Sequence, residues 1–202
     1  MTIKDLTIII FSGDNSHARA DIAGRLSMYL ATNLDNPIRI ISPYEPQNYL
    51  GLWHKIDPLT YEEAMRFQVK GLSKYFSTKY MMFLETDGYP INFDLWSYDF
   101  MKFDYIGAVW NKDWNLINGG RVGNMGCSII SKRFIDWISV QEYNGMAGDV
   151  FICQHLKPKA EAEGFTYADI ETALRFSFEN PIEIEWDRSK SFAKHFKGEH
   201  FQ

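Results

Sequence analysis

Short β-branched apolar runs alternate along the chain with longer stretches whose apolar residues recur every three or four positions, a pattern of strands interleaved with helices. Leu6–Phe11 is apolar apart from Thr7 and meets Ser12-Gly13-Asp14-Asn15, which predicts a buried strand ending in a polar turn. Ser16 is placed to cap a helix that carries Ala20, Ala23, Leu26 and Leu30 on one face and reaches about Asn33. Ile38–Ile41 supplies a second strand and closes a β-α-β unit. Pro43, Pro46, Gly51 and Pro58 predict a loop or irregular crossing over 42–59.

Helix resumes at Thr60, where Thr60 and Glu63 have capping-box spacing and Tyr61, Met65, Val69, Leu72 and Phe76 trace one apolar face. Tyr80–Leu84 reads as a buried strand that delivers Glu85-Thr86-Asp87-Gly88 at its carboxyl end. Open α/β sheets bind ligands at that end of their strands, so Asp14 and Asp87 are expected in one crevice. Further strands are predicted over 104–110 and Cys127–Ile130, with a mobile loop over 111–122. Helices follow over Lys132–Val140, from Asp149 toward Pro158, and from Asp169 to about Phe178. No repeat, low-complexity tract or linker interrupts residues 1–202, which predicts a single α/β domain.

Composition narrows the function classes. The 21 basic and 26 acidic residues give a net charge of -5, which offers no global attraction to nucleic acid or anionic lipid, although a local basic groove is still compatible with it. Aromatic residues make up 16% of the chain, enough for a bulky core and for stacking on sugars or bases. Cys127 and Cys153 are far apart and belong to no CxxC, which argues against a disulfide scaffold or zinc knuckle and for a reducing cytoplasm. The apolar run at the N-terminus is too short for a membrane span, so any membrane association is expected to be peripheral. The sequence lacks the Gly-x-Ser-x-Gly elbow and the HExxH pair, which weighs against serine hydrolases and zinc proteases.

Four segments carry candidate chemistry. Glu85 and Asp87, two residues apart after a strand, could hold a hard divalent cation against a diphosphate, yet on spacing alone a plain polar turn explains them better. Gly123-Asn124-Met125-Gly126-Cys127-Ser128 would let backbone approach a bulky ligand, or is simply a tight turn. Asp149 reads as a helix N-cap, or as a general base if it faces the crevice. His195 and His200 lie beside Lys194 and Lys197; such clusters are mostly solvated surface, though a His there could ligate a metal and a Lys could neutralise a leaving phosphate.

Taken together over roughly residues 60–196, these segments resemble an uncharacterised family of small glycosyltransferase-like proteins found beside bacterial polysaccharide genes and in bacteriophages. The family's Tyr-Asn-Arg-Phe helix, Gln-x-Asp-Gly strand end and Asp-Tyr-Ile-Gly-Ala-x-Trp run are matched by Ala64-Met65-Arg66-Phe67, Glu85-Thr86-Asp87-Gly88 and Asp104-Tyr105-Ile106-Gly107-Ala108-Val109-Trp110. Its Gly-Asn-Gly-Gly-Phe-Ser segment, Glu-Asp pair, Arg-Phe-Ser-x-Glu run and terminal Phe-Gly-Phe-His are similar to 123–128, Gly148-Asp149, Arg175–Glu179 and Phe192-Ala193-Lys194-His195. Met125, Cys127, Gly148 and Ala193 depart from the pattern, and Glu85 stands where the family has a neutral Gln.

The resemblance implies a Rossmann-like GT-A nucleotide-diphospho-sugar transferase, a three-layer α/β/α sandwich, in which Asp87 ends the metal-binding acidic motif. It implies a divalent cation, Mn2+ or Mg2+, on Asp87 with help from Glu85 or His195, or Lys194 and Lys197 in the ion's stead, and Asp149 as the candidate base in an inverting transfer. Ser12 and Asp14 are then expected at the nucleoside, Gly123, Asn124, Gly126 and Ser128 around the donor sugar, and Lys194 and Lys197 at the diphosphate. The expected partners are a nucleotide-sugar donor and either a glycan hydroxyl or a hydroxylated phage DNA base, with Lys112, Arg121, Lys132 and Arg133 available for a duplex. A non-catalytic sugar- or nucleotide-binding module is the alternative, favoured by Gly148 in place of the Glu.

Overall fold

The computed structural model describes residues 1–113, 120–179, 182–196 and 198–202. Strand β1 (Leu6–Phe11) leads through helix α1 (His17–Asn33) to β2 (Ile38–Ser42) and β3 (Leu52–Lys55). Helix α2 (Tyr61–Lys70), β4 (Tyr80–Leu84), β5 (Gly88–Pro90), β6 (Tyr105–Ile106) and β7 (Cys127–Ser131) follow. The remainder comprises α3 (Lys132–Val140), α4 (Gly148–Val150), α5 (Lys157–Ala162), α6 (Ile170–Phe176), β8 (Ser177–Glu179) and β9 (Ala193–His195). The main sheet has the order β3-β2-β1-β4-β7-β6, and β5-β9-β8 form a smaller one.

β1 is buried along its whole length because both faces are covered. Ile8 and Ile10 join Ala23, Leu26 and Leu30 of α1 in one core, while Ile9 and Phe11 join Val69 of α2 and Phe134, Ile135 and Ile138 of α3 in the other. This two-sided burial turns a period-two strand into a continuous apolar run and gives the α/β/α layering. β2, β1 and β4 are parallel, and β7 runs antiparallel to β4. The connection from β1 goes to β2 on one side, and β4 lies on the other, so the chain reverses its order between the carboxyl ends of β1 and β4.

Local signals fix the helix starts. Ser16 accepts from the Arg19 amide, Thr60 and Glu63 form the full capping box, and Asp169 accepts from the Thr172 amide at 2.8 Å. Each such cap contributes about 1 kcal/mol. The structure departs from the sequence expectations where pairing is long-range. Within the expected loop at 42–59, Leu52–Lys55 adds to β2 as a parallel edge strand after a turn at Gly51, whose φ is 109°. The helix from Thr60 stops at Gly71, and Leu72–Tyr75 forms a 3₁₀ turn that still buries Leu72. Of 104–110 only Tyr105–Ile106 is regular strand, because Gly107 lies against backbone: a Cβ there would sit 1.8 Å from the Gly123 carbonyl oxygen. The last helix ends at Phe176, where Ser177–Glu179 peels off into the small sheet. Part of the expected loop at 111–122, residues 114–119, lies outside the described residues.

Candidate active site

The reversal between β1 and β4 opens a cavity of about 500 Å³. Ser12, Gly13 and Asp14 from the end of β1 line one side, and Glu85, Thr86 and Asp87 from the end of β4 line the floor. Phe11, Leu59, Tyr61, Ala64 and Met65 make an apolar wall, and Asn124, Met125, Gly126, Asp149, Glu179 and His195 complete it. Asp14, Asp87 and Asp149 therefore share one cavity.

The residues after β4 fan out to different layers. Glu85 accepts from Gln68 Nε2 of α2 at 2.7 Å, whereas Thr86 Oγ1 lies 3.2 Å from Arg19 Nη1 of α1. Asp87 Oδ2 accepts from the Gly198 amide at 2.9 Å, and Oδ1 lies 3.7 Å from His195 Nε2. The small sheet sets this last contact. Its register places Gly88, His195 and Glu179 side by side on β5, β9 and β8, so the imidazole sits between the Asp87 turn and the Glu179 carboxylate. His195 Nδ1 is 3.4 Å from Glu179 Oε1. Gly126 supports the ring from beneath: a Cβ there would lie 2.2 Å from His195 Cδ2 and 2.3 Å from Nε2.

Glu85, Asp87 and His195 each offer one ligand atom within 4.8 Å of the others. The residues present fit a divalent cation. Two carboxylates and an imidazole suit Mn2+ or Mg2+, and His195 Nδ1 and Glu179 Oε2 are buried without a hydrogen-bond partner. The electrostatics agree. Burial and the neighbouring Asp87 charge push the Glu85 carboxyl up to about 7. Burial also works against ionisation of Asp87, but the His195 ring and the Gly198 amide hold it down at about 2. Burial alone would lower His195, yet Asp87 and Glu179 on its two sides raise it to about 10. His200, 4.0 Å from Asp87 Oδ2, is lowered by burial and by Arg19.

Asp149 is not a helix cap. Ala147 occupies that position, and Asp149 lies inside the first turn of α4, which passes into a π-helical turn over Phe151–His155. Its Oδ1 accepts from the adjacent Val150 amide at 2.8 Å. Burial, reinforced by Glu179, raises its pKa. A Cβ on Gly148 would point at Gln68 Oε1, 3.0 Å away, so Gln68 fills the space beside this residue.

The glycine segment splits. Asn124 and Gly126 line the cavity, with Asn124 in the left-handed region at φ 58° and its Oδ1 accepting from the Gly126 amide. Gly123 and Ser128 are not among the lining residues. Gly123 lies against the Trp110 ring, 2.2 Å from where its Cβ would be, and Ser128 is buried in β7 with its hydroxyl on the Met125 carbonyl. Lys194 also turns away: on β9 it faces opposite to His195, with Nζ over the Tyr89 and Phe196 rings at 5.0 and 5.2 Å. Lys197 lies outside the described residues. Sequence reasoning missed Arg19, Gln68 and Glu179. Arg19 and Gln68 sit on helices whose periodicity was legible, but their partners arrive from β4. Glu179 ended a quoted motif with no sign of its partner.

A family model described as a protein of unknown function, DUF5672, matches residues 61–195. The chain belongs to this family. No curated protein matches the DUF5672 chain in sequence. Among solved structures, it is similar to the galactosyltransferase LgtC in complex with donor and acceptor sugar analogs, with 12% identity, a TM-score of 0.56, and coverage of 96% of this chain and 87% of that one. A glycosyltransferase involved in glycosylation of the major capsid of PBCV-1 aligns at 13% identity and TM-score 0.57, covering 96% and 93%. The mannosyltransferase PcManGT from Pyrobaculum calidifontis, in complex with GDP-Man and Mn2+, aligns at 8% identity and TM-score 0.51, covering 82% of this chain and 55% of that one. These likenesses establish the Rossmann-like GT-A fold. Among the described residues, no helix is long and apolar enough to cross a membrane.

Proposed function

We propose that this DUF5672 protein is a glycosyltransferase that moves a sugar from a nucleotide-diphospho-sugar to an acceptor hydroxyl. The observation that carries this reading is the convergence of Glu85, Asp87 and His195 with Asp149 in one cavity at the chain reversal of a GT-A fold. Asp87, His195 and Glu85 would hold Mn2+ or Mg2+, as PcManGT, a protein of the same fold, is in complex with Mn2+ and GDP-Man. When bound, such an ion neutralises charge on a departing diphosphate.

The chain's own residues supply the rest. Ser12 and Asp14 offer hydrogen-bonding groups at the mouth for the nucleoside, and Asn124 and the Gly126 backbone form the floor beside the sugar. Among the described residues Arg19 is the arginine on the cavity wall, and it takes the diphosphate role first expected of Lys194. Asp149 accepts the acceptor's proton as its oxygen bonds to the anomeric carbon. The bond from that carbon to the diphosphate breaks, and the diphosphate leaves with the electron pair. One displacement inverts the anomeric configuration.

A glycan hydroxyl fits better than a DNA base. The charged lining of the cavity is mostly acidic, with five carboxylates, and three of the candidate duplex-binding cations are engaged elsewhere: Arg121 with Glu183, Lys132 with Asp136 and Arg133 with Asp104. A cytoplasmic location and action as a single domain complete the proposal. The test is a panel of nucleotide sugars with and without Mn2+ or Mg2+, applied to the native chain and to Asp149→Asn. Donor binding should survive in the variant while transfer is lost. Unchanged turnover would remove Asp149 from the mechanism, and binding of donors without turnover in the native chain would point to a non-catalytic module.

A further inference from the structure

The geometry points to Glu179 as a positioning residue that holds the His195 imidazole with its proton on Nδ1, leaving Nε2 free to ligate a divalent cation. This rests on the proposed metal site and names a residue outside its ligand group. Three observations converge on it. The parallel pairing of β8 with β9 places Glu179 directly beside His195, so the backbone itself brings carboxylate and ring together. The two side chains are both nearly buried, 11% and 10% exposed, and Oε1 lies 3.4 Å from Nδ1 while Nε2 faces Asp87 at 3.7 Å on the other side. Finally, among the described residues Nδ1 and the second carboxylate oxygen, Oε2, have no hydrogen-bond partner.

Among the described residues Glu179 forms its ion pair with His195, and a buried carboxylate is costly unless it meets a proton donor. The imidazole Nδ1–H is the donor within reach. An imidazole can ligate a metal only through an unprotonated nitrogen, and the nitrogen that keeps its proton is chosen by the acceptor facing it. Glu179 makes that choice here, and Gly126, where a Cβ would lie 2.3 Å from Nε2, leaves the ring the space it occupies. The sheet β5-β9-β8 is thus the frame that presents one imidazole nitrogen to Asp87 and the other to Glu179.

The test is calorimetric titration of Mn2+ into the full chain and into Glu179→Ala, Glu179→Gln and Asp87→Asn, with thermal melts to establish folding. Imidazole 15N shifts, read in the diamagnetic Mg2+ form, report the tautomer. Glu179→Ala should weaken Mn2+ binding about 10–100-fold and give mixed tautomers. Glu179→Gln should lose less and keep Nδ1 protonated, because its amide oxygen still accepts. Native-like affinity in Glu179→Ala, beside weakened binding in Asp87→Asn, would overturn the role of Glu179 and leave the metal site standing. If Glu179→Ala does not fold, the apolar Glu179→Leu, which fills the space without an acceptor, takes its place, and undiminished affinity there would overturn the role. Absence of Mn2+ binding by the native chain would instead overturn the metal site itself.

Discussion

Gly126→Ala isolates the part of the site that no charge change touches. The added Cβ would lie 2.2 Å from His195 Cδ2 and 2.3 Å from Nε2, against an ordinary carbon contact of about 3.5 Å. The Cβ is anchored in the backbone beside β7, and His195 is tied into β9, so the ring must shift or tilt by about 1 Å. Disturbing the support of a metal ligand costs about 10–100-fold in metal affinity. In a thermal-shift assay with Mn2+ at 100 times the native Kd, bound ion adds about 2.7 kcal/mol of stability. For a domain of this size that is a rise in Tm of about 5–11 °C. A hundredfold weaker site at the same Mn2+ concentration gains only about 0.4 kcal/mol, a shift of about 1 °C. The metal-free variant should melt below the native protein, as overpacking costs about 1–3 kcal/mol, but it should still unfold cooperatively. A full Mn2+ shift in folded Gly126→Ala would refute the packing of His195 on Gly126.

Other consequences follow from the same geometry. Arg19→Ala should weaken nucleotide-sugar binding about tenfold, read by calorimetry, while leaving Mn2+ affinity unchanged; equal donor affinity would take Arg19 out of the diphosphate site. Gln68→Leu removes the amide that donates to Glu85 and should weaken Mn2+ binding more than donor-independent stability, a split that equal losses in both would contradict. Away from the cavity, Asp104 is pushed up by burial but more than offset by Arg133, Ser131 and the Thr166 amide, so its pKa is lowered in the folded protein. Its stabilisation is therefore complete above the unfolded-state value of about 3.9 and is lost as pH falls through the lower native value. Asp104→Asn should cost about 1–3 kcal/mol in urea unfolding at neutral pH and flatten the acid limb of the stability profile, and an unchanged acid limb would show that Asp104 does not set it.

What was legible in the sequence was local. β1, α1, β4 and the caps at Ser16, Thr60 and Asp169 rest on residues within one turn of each other or on an uninterrupted apolar run, and all appear as expected. Asp14 and Asp87 were placed in one crevice by strand direction alone. β3, β5, β8 and β9 were not visible, because strands of three or four residues carry too little periodicity and are made by pairing with distant chain. That blindness decided two residues. Without β9 there was no alternation to separate Lys194 from His195, and without β8 nothing connected Glu179 to the site. Asp149 was misread as a cap because an acid before an apolar helix is the usual signal, while the turn had in fact begun at Gly148. The glycines 123 and 126 looked equivalent, yet one is pressed on Trp110 and the other on His195, a difference that only tertiary contact makes.

The composition of the cavity explains why its parts belong together. Glu85, Asp87, Asp149 and Glu179 meet there with His195 and Arg19 as the cations on the wall. Several carboxylates brought this close cannot all remain ionised unless positive charge accompanies them. The chain meets that demand with protons: Glu85 rises to about 7 and His195 to about 10, so that in the metal-free protein the imidazole is a cation wedged between Asp87 and Glu179. Those protons sit on the same atoms that would ligate a divalent ion, and metal binding requires their release. A site arranged only for structural pairing would gain more from an Arg at position 195, which carries its charge permanently and can bond two carboxylates at once. An imidazole there gives up some of that stability for a charge that can be exchanged, which is what a site that takes up a metal and a diphosphate needs.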